Sequence, residues 1–263
     1  MKKRILLFIP VFNCEKQIPR VISKIDRSIQ DYINEVLIID NRSYDHTLDA
    51  AVAASSALET KVTILRNTMN YNLGGSIKRA FLYALEHKYD YMITLHGDDQ
   101  ADIRDFLPML EKETYRTNDL VIGARFHPNS TLKGYSWVRT LGNRVLNVMC
   151  SMINKQRVHD MIAGMNCFNL SFFKDKFFLK FPDNLTFDAH VLLYAFNKKA
   201  SIAYLPITWR EEDQISNAKV IKQALTILKL FSSYLLQREH VFSQHKSEKP
   251  EGFHYDSEII LQR

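Results

Sequence analysis

Cysteine is scarce in this chain: Cys14, Cys150 and Cys167 are the only three among 263 residues. They are far apart, odd in number and form no CxxC pair. That pattern excludes a disulfide framework and a cysteine zinc site, and it fits a reducing cytoplasm. No apolar run approaches the roughly 20 residues that a membrane-spanning helix needs. The basic, apolar start MKKRILLFIPVF is too short for a secretory leader, lacks a small-residue cleavage site and ends at Pro10, so it reads as a buried first strand. Neither GxGxxG nor a Walker pattern occurs, which removes two common phosphate-binding signatures. Internal repeats and low-complexity segments are missing as well. No basic patch interleaved with aromatics points to nucleic acid. A net charge of +6 implies an anionic partner without choosing among nucleotides, phospholipids and nucleic acid. The apolar content of 46% lies well outside the range of disordered chains.

What is present is an alternation. RILLFIPVF, NEVLIIDN, KVTILRN, YDYMITLHGDD and DLVIGARF read as strands, and helical patterns stand between them. The strands are continuous apolar runs rather than alternating ones, the mark of strands buried on both faces. The expectation is therefore an α/β fold with an open, mostly parallel sheet flanked by helices. After Arg125 come a loop, the helix NRVLNVMCSMIN, a short strand in AGMNCFNLSFF, the helix TFDAHVLLYAFNKK and the strand ASIAYLPITW. A long helix over 218–236 follows, with Lys219, Lys222 and Lys229 beside an apolar face. That face fits either core packing or the surface of an anionic membrane. Residues 237–263 read as a loose polar tail.

In an open parallel sheet, ligands bind beyond the carboxyl ends of the strands. The polar clusters of this chain fall at those ends: PVFN, DNRSYDHT, RNTMNYNLGGS and HGDDQAD. Ser43, Asp45 and Thr47 are explained by a helix cap alone. Asp40 is not, because a carboxylate closing a buried strand needs a donor, such as the imide N–H of uracil or the guanine edge. NLGGS fits a plain loop before a helix, or a backbone that approaches an anion. HGDDQAD gathers acids that repel one another unless a cation sits among them. Asp98 and Gln100 lie two apart, so in an extended segment they point the same way and can share Mg2+ or Mn2+. His96 on the same side would favour Mn2+. A solvated acidic loop is the competing reading.

These stretches together resemble the family 2 glycosyltransferases, especially the dolichol- and polyprenyl-phosphate sugar synthase branch. IPVFNCEKQI is similar to that family's P-x-(Y/F)-N-E-E opening, with Cys14 in place of the first Glu. IIDNRSYDHT resembles its V-D-D-x-S-x-D-x-T, with Asn41 for the second Asp, and NLGGSIKRA its Gly-rich segment. LHGDDQAD resembles the metal motif D-x-D-x-Q, with His96 in first position. VIGARF, RTLGNRVLN, HDMIAGMNCFN, FDAHVLL and WREEDQISNAK resemble five further motifs, with Ala163, Asn166 and His190 as departures.

The resemblance implies one GT-A-like (Rossmann-like) catalytic domain over 1–236. Its first half, about 1–125, holds the nucleotide sugar and metal, and about 126–236 holds the acceptor. It implies donor contacts from Pro10, Phe12, Asn13, Glu15, Asp40, Ser43, Asn70, Gly74, Gly75 and Lys78. It implies Mg2+ or Mn2+ on Asp98, Gln100 and His96, stabilising charge on the departing nucleoside diphosphate. Arg125, Arg139, Arg210 and Ser216 would meet a phosphate acceptor, although ordinary ion pairs explain the arginines as well. A hydroxyl acceptor needs a base, for which Asp188 is the candidate, with Asp160 and His190 behind it. A first-turn acid favouring the helix dipole is the plainer role for Asp188. The activity implied is an inverting transfer from a UDP- or GDP-sugar to a polyprenyl phosphate or a glycan or lipid-linked acceptor, in cell-envelope synthesis. The place implied is the cytoplasm or the inner face of the membrane. The alternatives are a sugar-nucleotide nucleotidyltransferase, whose basic Gly-rich loop PVFNCEK lacks, and a degenerate nucleotide-sugar-binding protein.

Overall fold

The computed structural model describes residues 3–161, 163–213 and 220–263. The strands are β1 (Ile5–Val11), β2 (Glu35–Asp40), β3 (Lys61–Asn67), β4 (Tyr91–Leu95), β5 (Leu120–Ala124), β6 (Thr131–Lys133), β7 (Met165–Asn169), β8 (Ile202–Pro206), β9 (Thr208–Arg210) and β10 (Ser257–Gln262). Eight of them form one sheet in the order β10-β3-β2-β1-β4-β7-β5-β8, and β6 pairs with β9 in a small second sheet. Pairings β3-β2, β2-β1, β1-β4 and β5-β8 are parallel. Strands β7 and β10 run antiparallel to their neighbours.

The helices are α1 (Ile18–Ser23), α2 (Arg27–Gln30), α3 (Thr47–Ser55), α4 (Asn72–Glu86), α5 (Leu107–Glu111), α6 (Trp137–Asn154), α7 (Phe187–Asn197), α8 (Val220–Leu236) and α9 (Arg238–Ser243). They cover both sheet faces, which is why the strands read as unbroken apolar runs. Leu6 and Phe8 of β1 join one core cluster with residues of α4, α7 and α8. Ile5, Leu7, Ile9 and Val11 join the other, with residues of α1 and α5. The isoleucine spacing after β1 gives two short helices rather than one, because the Asp26 carboxylate caps the Ser28 amide at 2.9 Å and restarts the chain.

Two features of the fold differ from the sequence reading. Residues 237–263 are not a loose tail: α9 packs beneath α7, and β10 adds an antiparallel edge strand to β3. Lys78 is not at a donor site. Its ammonium is fully buried and bonds Asp183 Oδ1 (2.6 Å), Tyr255 OH (3.1 Å) and the carbonyls of Leu179 and Phe181. Asp183 also accepts from Ser247 (2.8 Å) and Tyr255 (2.6 Å), so this knot fastens the C-terminal segment to α4. Removing one partner of a buried ion pair strands the other charge. Lys78→Met should therefore lower stability by about 3–5 kcal/mol in urea denaturation; an unchanged midpoint would contradict this structural role.

Candidate active site

The loops after β1 and β2 are stitched together. Asn13 N–H donates to Ser43 Oγ (3.0 Å), and Asn13 Oδ1 accepts from Tyr44 N–H (2.9 Å). Glu15 Oε2 accepts from His46 N–H (3.0 Å), while Asp45 accepts from the amides of Glu15 and Thr47. Burial acts against the Asp45 charge, but hydrogen bonds from the Thr47 hydroxyl and from the Thr47 and Glu15 amides prevail and hold its carboxyl below the usual range. Phe12 stacks edge-on against the exposed ring of Tyr44, 5.9 Å between centroids. Pro10 lies in β1 and its carbonyl accepts from Gly97 N–H, joining β1 to the turn after β4.

Asp40 ends β2 fully buried. Its Oδ1 accepts from Ser43 N–H (3.1 Å), and Arg66 Nε stands 3.2 Å from Oδ2. The charges adjoin, yet the angle leaves both of those atoms without a hydrogen bond. A base meets Asp40 only if a neighbour such as Arg66 moves. Next to it, Asn41 accepts from Asn67 Nδ2 (3.0 Å) and Tyr71 N–H (2.8 Å) and donates to Asn70 Oδ1 (2.9 Å). A carboxamide does here what a carboxylate could not, because it both donates and accepts.

Gly74 and Gly75 do not line an anion cradle. A Cβ on Gly74 would lie 2.8 Å from the Asp183 backbone, and one on Gly75 would lie 2.6 Å from Tyr71. Gly75 N–H is already bonded to Asp183 O (3.2 Å). These glycines let α4 approach the segment that leads into α7.

The acidic run after β4 is a tight turn, not an extended segment. Asp98 Oδ1 accepts from Gln100 N–H (3.1 Å), and Asp99 is left-handed at φ 64°. The turn sorts the acids. Asp99 is buried against three cations: Arg20 (2.8 Å), Lys24 and Arg210. Burial opposes its charge, but hydrogen bonds from Lys24, Arg20 and Arg210 prevail and lower its pKa. Asp102 is paired with Arg104 (2.6 Å). Asp98 has no ion pair among the described residues, and burial raises its carboxyl above the ordinary value. Beside it, His96 Nε2 is buried with no hydrogen-bond partner among the described residues, and burial pushes the imidazole pKa down, favouring the neutral form that ligates metals. Gln100 turns instead to Glu211 Oε1 (3.2 Å), away from the role expected of a shared ligand.

Among the described residues, no group of three or more His, Cys, Asp or Glu converges into a complete metal shell. Asp98 and His96 fit a partial one. Mg2+ and Mn2+ are commonly held by one or two protein groups, with phosphates and water completing the shell.

The three arginines are each engaged by an acid. Arg125 grips Asp160 through Nε (2.8 Å) and a terminal nitrogen (2.9 Å), and its amide bonds the same carboxylate (2.9 Å). Both residues are buried, and Arg125 sits over the rings of Trp209 and Phe126. Asp160 is thus a structural counter-ion, because its oxygens are taken up by donors. Arg139 pairs with Glu211, and Arg210 with Asp99. These two keep partial exposure, so an incoming anion can compete for them.

Asp188 opens α7. It is buried, with no hydrogen bond or ion pair to its carboxylate among the described residues, and burial alone pushes it up to about 7. His190 is elsewhere: its Nδ1 faces Thr186 O (2.9 Å), its ring packs on Phe181, and burial lowers its pKa to about 4. It is a neutral packing residue, not a partner of Asp188. Ser216 and Lys219 lie outside the described residues.

Arg20, Lys24, Arg66 and Glu211 were not among the sequence candidates. Arg20 and Lys24 stand four apart on a helical pattern just after PVFNCEK, a spacing that points two cations one way. That was the available signal.

Against known proteins, the model of the family described as Glycosyl transferase family 2 matches residues 7–177. Polyprenol monophosphomannose synthase of Mycolicibacterium smegmatis is 22% identical over 80% of this chain and 79% of its own length. Dolichyl-phosphate beta-glucosyltransferase of Saccharomyces cerevisiae is 22% identical over 77% of this chain and 65% of its own. Among solved structures, glucosyl-3-phosphoglycerate synthase from Mycobacterium tuberculosis, in complex with Mn2+, UDP-glucose and glycerol 3-phosphate, superposes with a TM-score of 0.62. It is 16% identical, over 87% of this chain and 80% of that one. That likeness establishes the fold as GT-A.

The pairing of Asp99 yields a direct test. Asp99→Asn keeps its shape but leaves Arg20, Lys24 and Arg210 without their shared counter-ion. Stability should fall by about 3 kcal/mol in urea denaturation; a neutral result would mean that the three cations do not depend on it.

Proposed function

We propose, for a chain that belongs to glycosyl transferase family 2, that it is an inverting, divalent-metal-dependent enzyme that transfers a sugar from a UDP- or GDP-sugar to a polyprenyl phosphate, in cell-envelope polysaccharide synthesis. One observation carries the reading. Of the three acids in the turn after β4, Asp99 and Asp102 have protein cations and, among the described residues, Asp98 has none. A carboxylate held at the mouth of the sheet without a counter-ion, beside an orphaned imidazole nitrogen, suits a cation that arrives with the donor.

When bound there, Mg2+ or Mn2+ supplies positive charge to the departing diphosphate. The chain's own residues do the rest. Asp98 and His96 would hold the ion, and the stitched loops Phe12–Glu15 and Asn41–Asp45 would shape the nucleoside side. The acceptor oxygen attacks the anomeric carbon as the bond to the diphosphate breaks. Arg139 and Arg210 exchange Glu211 and Asp99 for the acceptor phosphate, which already carries its charge and needs no base. The relatives named for polyprenyl and dolichyl phosphates support that acceptor. The site of action is the cytoplasm or the inner membrane face.

A second acceptor, a glycan or lipid-linked hydroxyl, is favoured by Asp188. A carboxyl at about 7 is matched to taking a proton near neutrality. The pH profile separates the two: activity should rise through about pH 7 and be lost in Asp188→Asn for a hydroxyl, and neither should occur for a phosphate.

Two outcomes are expected. UDP or GDP at about a hundred times Kd, with Mn2+, should raise stability by about 2.7 kcal/mol. EDTA or Asp98→Asn should remove that gain in a thermal-shift assay, and a gain that survives both would sink the metal assignment. Asp188 also titrates folding. The native carboxyl keeps its proton to about pH 7, while the unfolded one loses it near 3.8. The native state therefore binds more protons between those values, and stability falls as pH rises through them. Asp188→Asn should gain on the parent by about 2–4 kcal/mol at pH 8 and little at pH 4.

A further inference from the structure

Helix α6 presents an apolar stripe to solvent. Trp137 (75% exposed), Leu141 (57%), Val145 (50%), Val148 (57%) and Met152 (73%) recur at spacings of three and four, and Val138 (54%) flanks them. At 100° per residue they occupy an arc of about 100° along the whole helix. The opposite side faces the protein: Cys150 and Asn147 are buried, and Arg139 bonds Glu211 at the acceptor side of the site. Gly142 opens onto empty space.

Helix α8 packs beside α6, with Tyr234 OH bonded to Asn154 Oδ1 at 3.0 Å. Its Ile227, Leu230, Phe231 and Tyr234 are buried, so most of its apolar residues are core. Leu225, Leu228, Leu235 and Leu236 nevertheless point outward. Isolated exposed leucines are ordinary, but a contiguous stripe with a tryptophan is not.

Charge selects the occupant. Residues 133–157 contain no Asp or Glu, and neither do 220–236. Arg144, Lys155, Arg157, Lys222, Lys229 and Arg238 are exposed around the apolar residues. Two such cationic faces repel each other, which disfavours pairing with a second copy. An apolar stripe rimmed by lysine and arginine is complementary to anionic headgroups over acyl chains.

We propose that α6, with the outward leucines of α8 beside it, is the surface by which this protein docks on an anionic lipid bilayer. No helix among the described residues is long and apolar enough to cross a membrane, so the contact is interfacial. Because α6 carries Arg139 on its inward side, docking brings the acceptor side of the site within a helix diameter, about 10–12 Å, of the headgroups. The inference bears on the proposed transfer without depending on it.

The test uses the full chain and vesicles of phosphatidylcholine with or without phosphatidylglycerol, with no sugar donor present. The two tryptophans separate cleanly, since Trp209 is buried and Trp137 is not. The expected result is co-sedimentation with phosphatidylglycerol vesicles, a blue shift of Trp137 emission, and weakening by salt. Leu141→Glu with Val148→Glu, at exposed positions, should leave the melting temperature unchanged and lower partitioning at least tenfold. Arg144→Gln with Lys155→Gln should cut the preference for the anionic lipid. Failure of the parent chain to bind or shift would overturn the proposal, and so would a folded Leu141/Val148 variant that partitions like the parent. A concentration-dependent dimer, lost in that variant and indifferent to vesicles, would also overturn it and assign the face to a second copy.

Discussion

A carboxylate withdrawn from water needs a cation, a set of donors or a proton, and that requirement organises this molecule. Lys78 answers Asp183, Arg125 answers Asp160, and Arg20, Lys24 and Arg210 answer Asp99. Each pair joins segments far apart in the chain: α4 to the approach of α7, β5 to the residues before β7, and α1 to β9. The pairs therefore fasten distant segments of the chain to one another. Asp98 and Asp188 stand apart: among the described residues neither has an ion pair, and burial raises the pKa of both.

The same accounting separates scaffold from site. A residue already bonded to its full capacity, such as Lys78 or Asp160, has nothing left for a substrate. Arg139 and Arg210 are intermediate, because they stay partly open to water and an anion can replace their acids. Glu211 links the two regions, since its Oε1 accepts from both Gln100 of the turn after β4 and Arg139 of α6. The turn after β4 and helix α6 thus share a single carboxylate.

The sheet was legible because continuous apolar runs that end in polar clusters suit strands covered on both faces and little else. The family resemblance rested on those same ends. The roles of individual residues were less legible. NLGGSIKRA has the same letters whether its glycines face an anion or a packed segment; the deciding neighbour, Asp183, lies far along the chain. Asp98 and Gln100 would share a face in a strand, but the left-handed Asp99 makes a turn and sends Gln100 to Glu211. Strand β10 was hidden because SEIILQR is short, flanked by polar residues and completed only by its pairing with β3. Helical periodicity announced α6 but not which of its faces would be left to solvent, since that depends on what packs beneath it.

The most direct measurement is anomalous scattering from crystals soaked with Mn2+ and a nucleoside diphosphate. The account predicts one manganese peak within bonding distance of the Asp98 carboxylate, shared with the diphosphate, and none at Asp99 or Asp160. A nucleotide bound without metal, or a peak held by another acid while Asp98 stays bare, would contradict it.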